Sequence, residues 1–392
     1  MARARTILIA GAGIGGLAAA ITLARAGFRP LVLERASRLE EIGAGIQLTP
    51  NACRALERIG ALDAVKKRAV TAESLIIGSG ETGKELARAP LRDAGERFGA
   101  PWLLTLRADL QRALREVASD IVDIELELAT EVTDFASHSR GITALTIRGK
   151  KSEEKFGIAL VGADGLWSRI RARLHGTSPP TFHGLVAWRA LIPAKLLPGR
   201  YAEPAIRLWL GAEAHVVHYP VAGGEQINIV AVFRDEWQGE GWNTPGDIAK
   251  FPSVCDGWSE IPQRTIATAR KFSRWSLADR APLRRWGAGS VTLLGDAAHP
   301  MLPFLAQGAG AALEDAVALS RHLKRRGDVA AALRAYEAER MPRTARLQRA
   351  ARFNGRIYHA AGMLRWARDL KLRWDAEKIV DRHGWIYRYR VS

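Results

Sequence analysis

The sequence predicts an α/β fold in which a Rossmann-like parallel-sheet domain is interrupted by a β-sheet domain and finished by C-terminal helices. Three observations predict it. A buried strand, a glycine turn and a helix open the chain between Thr6 and Ala26. Short apolar runs split by Gly, Pro and polar turns fill Thr181 to Arg280, the pattern of a sheet. Beyond Gln307 the chain is rich in Ala, Leu and Arg and reads as helix to near its end.

The elements follow in order. Thr6–Ala10 reads as a strand and Leu17–Ala26 as a helix closed by Gly27. Pro30–Glu34 is a second strand, so the segment is a β-α-β unit with parallel strands. Thr49 and Pro50 start a helix that Gly60 ends. Arg107–Ala118 is a further helix, and Ile124–Ile147 alternates as strands do. Phe156–Ala163 reads as one buried strand leading to Asp164-Gly165, and Val291–Leu294 as another. The sheet runs are Gly184–Ile192, Ile206–Leu210, His215–Val221 and Ile227–Phe233. The expected division is 1–72, 98–180 and 281–330 for the Rossmann-like domain. Segments 73–97 and 181–280 form the sheet domain, and 331–392 the helical end.

Length and composition exclude several classes. A chain of 392 residues suggests about two or three folding units. With 47% hydrophobic and 25% charged residues it is neither disordered, coiled-coil nor collagen-like. The net charge of +17 is spread without a run of five basic residues, which argues against nucleic acid and is compatible with steering small anions. Two cysteines, Cys53 and Cys255, build neither a zinc site nor a disulfide framework, so no metal is expected. The apolar run Ile7–Ala24 is 18 residues long, but four glycines at its centre make it a strand, turn and helix rather than a membrane span. A cytoplasmic protein is the expectation.

Three motifs carry chemistry. Gly11-Ala-Gly13-Ile-Gly-Gly16 is a G-x-G-x-x-G turn between strand and helix. Gly11 permits the tight turn, Gly13 lets backbone approach a pyrophosphate, and Gly16 permits close packing. The helix N-terminus offers free N–H groups. Glu34 lies 18 residues beyond Gly16, where a carboxylate accepts ribose hydroxyls. The second motif is Val161-Gly-Ala-Asp164-Gly165; read alone it is better explained as a strand-to-turn junction. The third is Gly295-Asp296-Ala-Ala-His299-Pro300 followed by Gln307-Gly308-Ala309-Gly310. Asp296 could bond a cofactor hydroxyl, and His299 is either a packed loop residue or a catalytic one.

Together, in this order, the three motifs resemble the single-component FAD-dependent aromatic hydroxylases, over about residues 5 to 345. The last 45 or so residues add little. The resemblance implies non-covalent FAD, held at its pyrophosphate by Gly11, Gly13 and Gly16. Glu34, beside Arg35, would meet the adenosine ribose. Arg107 would reach FAD from its helix, Asp164 would lie near the FAD and the nicotinamide path, and Asp296 would bind the ribityl chain or the pyrophosphate. Gly308 and Ala309 would face the flavin ring. NADH or NADPH would be a transient co-substrate, since no second nucleotide motif exists. The implied chemistry is oxygen addition to reduced flavin, giving a hydroperoxide that attacks an electron-rich ring.

A phenol reacts faster once deprotonated, so a base is expected near the ring hydroxyl. His215 and Tyr219, four apart on one strand, share a face and are the candidates. Relatives carry a similar His and Tyr pair. His218 faces the other way. Gln47, Arg189, Pro303 and Phe304 are candidate substrate contacts, with Arg189 for a carboxylate. The leading expectation is a monooxygenase using O2 on a small hydroxylated aromatic acid, in the salicylate or 3-hydroxybenzoate class. A related enzyme of a larger ring, such as a purine, quinolone or polyketide, and a non-catalytic flavin-binding protein are the alternatives. The C-terminal helices leave a homodimer open, as no heptad marks one.

Overall fold

The computed structural model describes residues 5–39, 44–197, 199–237, 243–247, 251, 255–325 and 327–391. A five-stranded parallel sheet forms the nucleotide half. Thr6–Ala10 lies at its centre between Arg29–Leu33 and Ala159–Gly162, with Glu125–Glu127 and Val291–Leu293 at the edges. These short runs are apolar on both faces because helices cover both sides. Ile14–Arg25 packs against Gly308–Arg325, so the first and third motifs meet in one core.

An eight-stranded mixed sheet forms the other half. From one edge its strands are Asn243–Gly246, Phe272–Asp279, Thr181–Pro193, Gln226–Arg234, Ala214–Val221, Ala205–Leu210, Ser74–Ser79 and Glu85–Pro90. The segment after residue 73 thus joins the sheet built from residues 181–279. Only Ala205–Leu210 with Ser74–Ser79 pairs in parallel. One face packs on Trp188, Trp209, Trp258 and Phe272; the other looks toward the nucleotide half.

Most elements fall where the sequence places them, with two corrections. Phe156–Ala163 is not one buried strand. Lys151–Gly157 is the edge of a three-stranded sheet with Phe156 52% exposed, and the buried parallel strand is only Ala159–Gly162. The bend at Ile158 separates them, and Gly157 packs so closely that a Cβ there would lie 2.9 Å from Leu8 Cγ. Thr49 occupies the N-cap of Pro50–Ile59 without capping it. Its hydroxyl donates instead to Asn51 Oδ1 and accepts from Gln307 Nε2. The helices of the last 45 residues wall the site described below.

Candidate active site

The glycine turn divides its work. Gly11 has φ +103°, and a Cβ there would lie 2.6 Å from the Ala163 carbonyl oxygen. A Cβ on Gly16 would lie 1.9 Å from the Gly11 carbonyl oxygen. These two glycines are required by packing. A Cβ on Gly13 would meet nothing within 4 Å, and Gly13 lines the large cavity. Glu34 holds the turn from below: its Oε2 accepts from Ala12 N at 2.7 Å and its Oε1 from Ala36 N at 2.9 Å. Each oxygen keeps acceptor capacity for a hydroxyl. Arg35 beside it is exposed.

A cavity of about 920 Å³ runs from this turn to the large sheet. Gln47, Arg107, Asp296, Gly308 and Ala309 all line it. Arg107 opens the helix Arg107–Ser119. One turn later Gln111 donates to the Ala12 carbonyl at 3.0 Å, a tie that the sequence reading missed although i and i+4 share a helix face. Asp296 is exposed beside the N-terminus of Gly308–Arg325, where free N–H groups and the helix dipole favour negative charge.

Two other residues are committed locally. Asp164 accepts from Ser168 Oγ at 2.5 Å and from Arg169 N and Ile170 N, so it fixes the start of the next helix. Its neighbour Gly165 lines the cavity instead. Burial raises the Asp164 pKa against those hydrogen bonds, which lower it. His299 is buried, bonded to Asp315 Oδ2 at 2.5 Å and packed on Trp286, which fits the packed-loop alternative. Asp315 in turn accepts from Arg340, and Glu314 accepts from Arg340, Arg343 and Asn51. This buried network anchors the helix whose first turn faces the cavity.

On the sheet side, register explains the grouping. Arg189 pairs with Val230, Val230 with Val217, and Val217 with Leu208, a row in which every member lines the cavity. His215 and Tyr219 flank Val217 at i−2 and i+2, so they share that face. Both line the cavity and both are buried. His218 faces the opposite core, between Tyr201 and Trp209. Burial first, and Arg207 next, push the His218 pKa down to about 3.

Arg189 is left short of a partner. Its guanidinium lies 4.5 Å from the Trp275 ring centroid, and its buried Nε has no hydrogen-bond partner among the described residues. Burial pushes its pKa down to about 10, with Tyr219 opposing and Arg107 adding to that shift. His215 is 4% exposed, and its Nδ1 lies 2.7 Å from His359 Nε2. Burial, then His359, holds its pKa well below the usual histidine range. Burial also raises the Tyr219 pKa, so its phenol stays protonated and available as a donor. Phe304 meets His215 edge-on at 5.6 Å, while Pro303 is exposed at the cavity wall.

A family model described as an FAD binding domain matches residues 4–351. A 3-hydroxybenzoate 6-hydroxylase from Polaromonas naphthalenivorans is 37% identical over 98% of this chain and 96% of its own. A 3-hydroxybenzoate 6-hydroxylase 1 from Aquipseudomonas alcaligenes is 40% identical over 91% and 90%. The chain belongs to the FAD-dependent aromatic hydroxylases. Among solved structures, a variant of HpxO from Klebsiella pneumoniae complexed with FAD superposes with TM-score 0.85, at 28% identity and 98% coverage of both chains.

The residues of this hydroxylase fit FAD. Gly13 offers bare backbone to the cavity, Asp296 offers an exposed carboxylate there, and a helix N-terminus faces the same space. Beyond the motifs, the hydroxylase uses side chains that no sequence signal marked. Trp102, Asn354, Tyr358, Leu372 and Tyr387 line the cavity, and His359 touches His215 through its wall. Among the described residues no helix is long and apolar enough to cross a membrane, and no group of His, Cys, Asp and Glu could hold a metal.

Proposed function

We propose that this hydroxylase hydroxylates the ring of a small hydroxylated aromatic acid, in the 3-hydroxybenzoate or salicylate class. NADH or NADPH would be the reductant and O2 the oxidant. The observation that carries the reading is Arg189. A half-buried cation whose Nε is buried and which has no anionic partner among the described residues is costly, and a bound carboxylate would relieve it. It stands one sheet row from His215 and Tyr219. The relatives named above as 3-hydroxybenzoate 6-hydroxylases support the same class.

FAD, bound non-covalently by Gly11, Gly13, Gly16, Glu34, Arg35, Arg107, Asp296, Gly308 and Ala309, with Asp164 fixing the turn that brings Gly165 to the cavity, would supply the electron transfer and oxygen activation. The chain's own residues do the rest. Arg189 pairs with the carboxylate and fixes the ring in the pocket. His215, neutral in its buried site, accepts the phenol proton, and Tyr219 donates to the same oxygen to orient it. Phe304 packs on the ring, Pro303 offers backbone contact, and Gln47 meets a ring substituent. The apolar row Val217, Val230 and Leu208 keeps water out.

The reading includes the domain division given above, a cytoplasmic setting and a homodimer through the C-terminal helices. The buried free thiols Cys53 and Cys255 support the setting, and the exposed Met363, Trp366 and Trp374 support the dimer. One observation favours a second reading, a related enzyme of a larger ring: the cavity extends past Tyr358 to Leu372 and Ile379. The test is NADH and NADPH oxidation by FAD-loaded protein against hydroxybenzoates and hydroxynicotinates, with product measured in the same tubes. Stimulation matched by hydroxylated product supports the reading. No response to any of them, with turnover of a purine or quinolone, replaces it with the second.

A further inference from the structure

His215 and His359 meet through a wall between two cavities. His215 lines the large cavity. His359 lines a second one, of about 400 Å³, whose rim carries Arg234, Arg352 and Arg356. Phe304 and Leu364 line both and form the partition. Across it His215 Nδ1 and His359 Nε2 lie 2.7 Å apart. Phe304 and Tyr358 meet the His215 ring edge-on at 5.6 and 5.4 Å and hold its plane.

We propose that His359 is a positioning residue that moves the substrate's phenol proton out of the site, from His215 to water in the second cavity. The inference rests on the proposed function, because it needs a phenol as proton source. The balance is simple. The substrate O–H bond breaks as an N–H bond forms at His215 Nε2. The bridging proton passes from His215 Nδ1 to His359 Nε2, and His359 Nδ1 gives its proton to water. Each ring gains one proton and loses one. The proton returns along the same path when the product oxygen is reprotonated, which resets both tautomers.

The energetics favour transfer over storage. Burial, with Arg234 and Arg368, pushes the His359 pKa down to about 4, and His215 is lower than usual too. Neither ring retains a proton at neutral pH, so a base that only stored it would stall. His359 is the C-cap of Val329–Tyr358, and the negative end of that helix dipole eases the brief positive charge.

The test mixes FAD-loaded enzyme with 3-hydroxybenzoate in weak buffer containing a pH-indicator dye. Flavin absorbance reports binding and the dye reports proton release. In wild type, release should accompany binding. In His359→Gln and His359→Ala, release and the product-forming rate should slow by about tenfold or more while KM changes little. Added imidazole should restore His359→Ala, a rescue that a merely structural role would not give. Flavin content and melting temperature are measured on each variant. Wild-type release rates in both variants, or slowing without imidazole rescue in folded flavin-loaded His359→Ala, overturn the relay and leave the hydroxylase reading standing. No binding or turnover of any hydroxybenzoate by wild type overturns that reading and the relay with it.

Discussion

The Arg189 guanidinium lies over the Trp275 ring at 4.5 Å, its residue lines the cavity, and its buried Nε is unpaired among the described residues. The stack leaves the edge of the guanidinium free to act as a carboxylate fork. Arg189→Met should therefore raise KM for carboxylate substrates by about 10- to 100-fold, from the ~1.5–3 kcal/mol of a charged hydrogen bond. Turnover of neutral phenols should change little. Steady-state kinetics on matched acid and neutral phenols check this.

His215→Ala should lower product formation by about 100-fold or more, as loss of a general base does. FAD content should be kept. His218→Ala should act instead through stability. His218 is fully buried against Trp209 and Tyr201 on the far face, so its removal lowers the melting temperature with less effect on kcat per folded, flavin-loaded molecule. Equal kcat losses would remove His215 from the mechanism.

Gly13 and Gly16 should separate binding from folding. Gly16→Ala drives a Cβ into the Gly11 carbonyl and should destabilise the apoprotein. Gly13→Ala meets no protein atom and should leave apoprotein melting unchanged while weakening FAD binding, because the new methyl stands in the cofactor's space. Thermal melts without FAD and a flavin fluorescence titration distinguish the two.

Acid should destabilise the fold through its buried histidines. His218 and His359 have pKa values pushed down to about 3 and about 4, and His215 is also depressed. Below the unfolded value near 6.5 the unfolded chain binds protons that the folded chain refuses, so stability falls with pH down to the folded pKa. Each such group contributes a slope of up to about 1.4 kcal/mol per pH unit. Denaturant titrations between pH 7 and pH 4 should show the loss, and His218→Gln should flatten it.

Glu314→Gln should cost about 3–5 kcal/mol, because Arg340 and Arg343 are buried against it. Although burial raises the Glu314 pKa, the two arginines and Asn51 hold it below the usual carboxylate range. The carboxylate is therefore charged, and its replacement removes the carboxylate partner of Arg343 and leaves Arg340 with Asp315 alone. A urea titration of holoenzyme reads the loss.

The sequence revealed the parts that depend on backbone. Gly11, Gly13 and Gly16 are legible because a turn this tight excludes a side chain at two of them. Strand His215–Val221 is legible from its apolar run, and its two-residue period placed His215 and Tyr219 together. Contacts between distant segments were hidden. His359 lies 144 residues from His215, and nothing local marks it. The same holds for Tyr387 and Leu372, whose helices close the cavity although no local pattern says what they pack against. Phe156–Ala163 misled because apolar composition does not show where a strand leaves one sheet for another.

The most direct measurement compares 3-hydroxybenzoate with 3-methylphenol in FAD-loaded wild-type enzyme, following NADH oxidation and hydroxylated product together. The account predicts that the acid is turned over with product matching NADH consumed, and that the neutral phenol has a kcat/KM lower by about 10-fold or more, as loss of the Arg189 contact requires. Equal kcat/KM for the two, or NADH oxidation yielding only hydrogen peroxide, would contradict it.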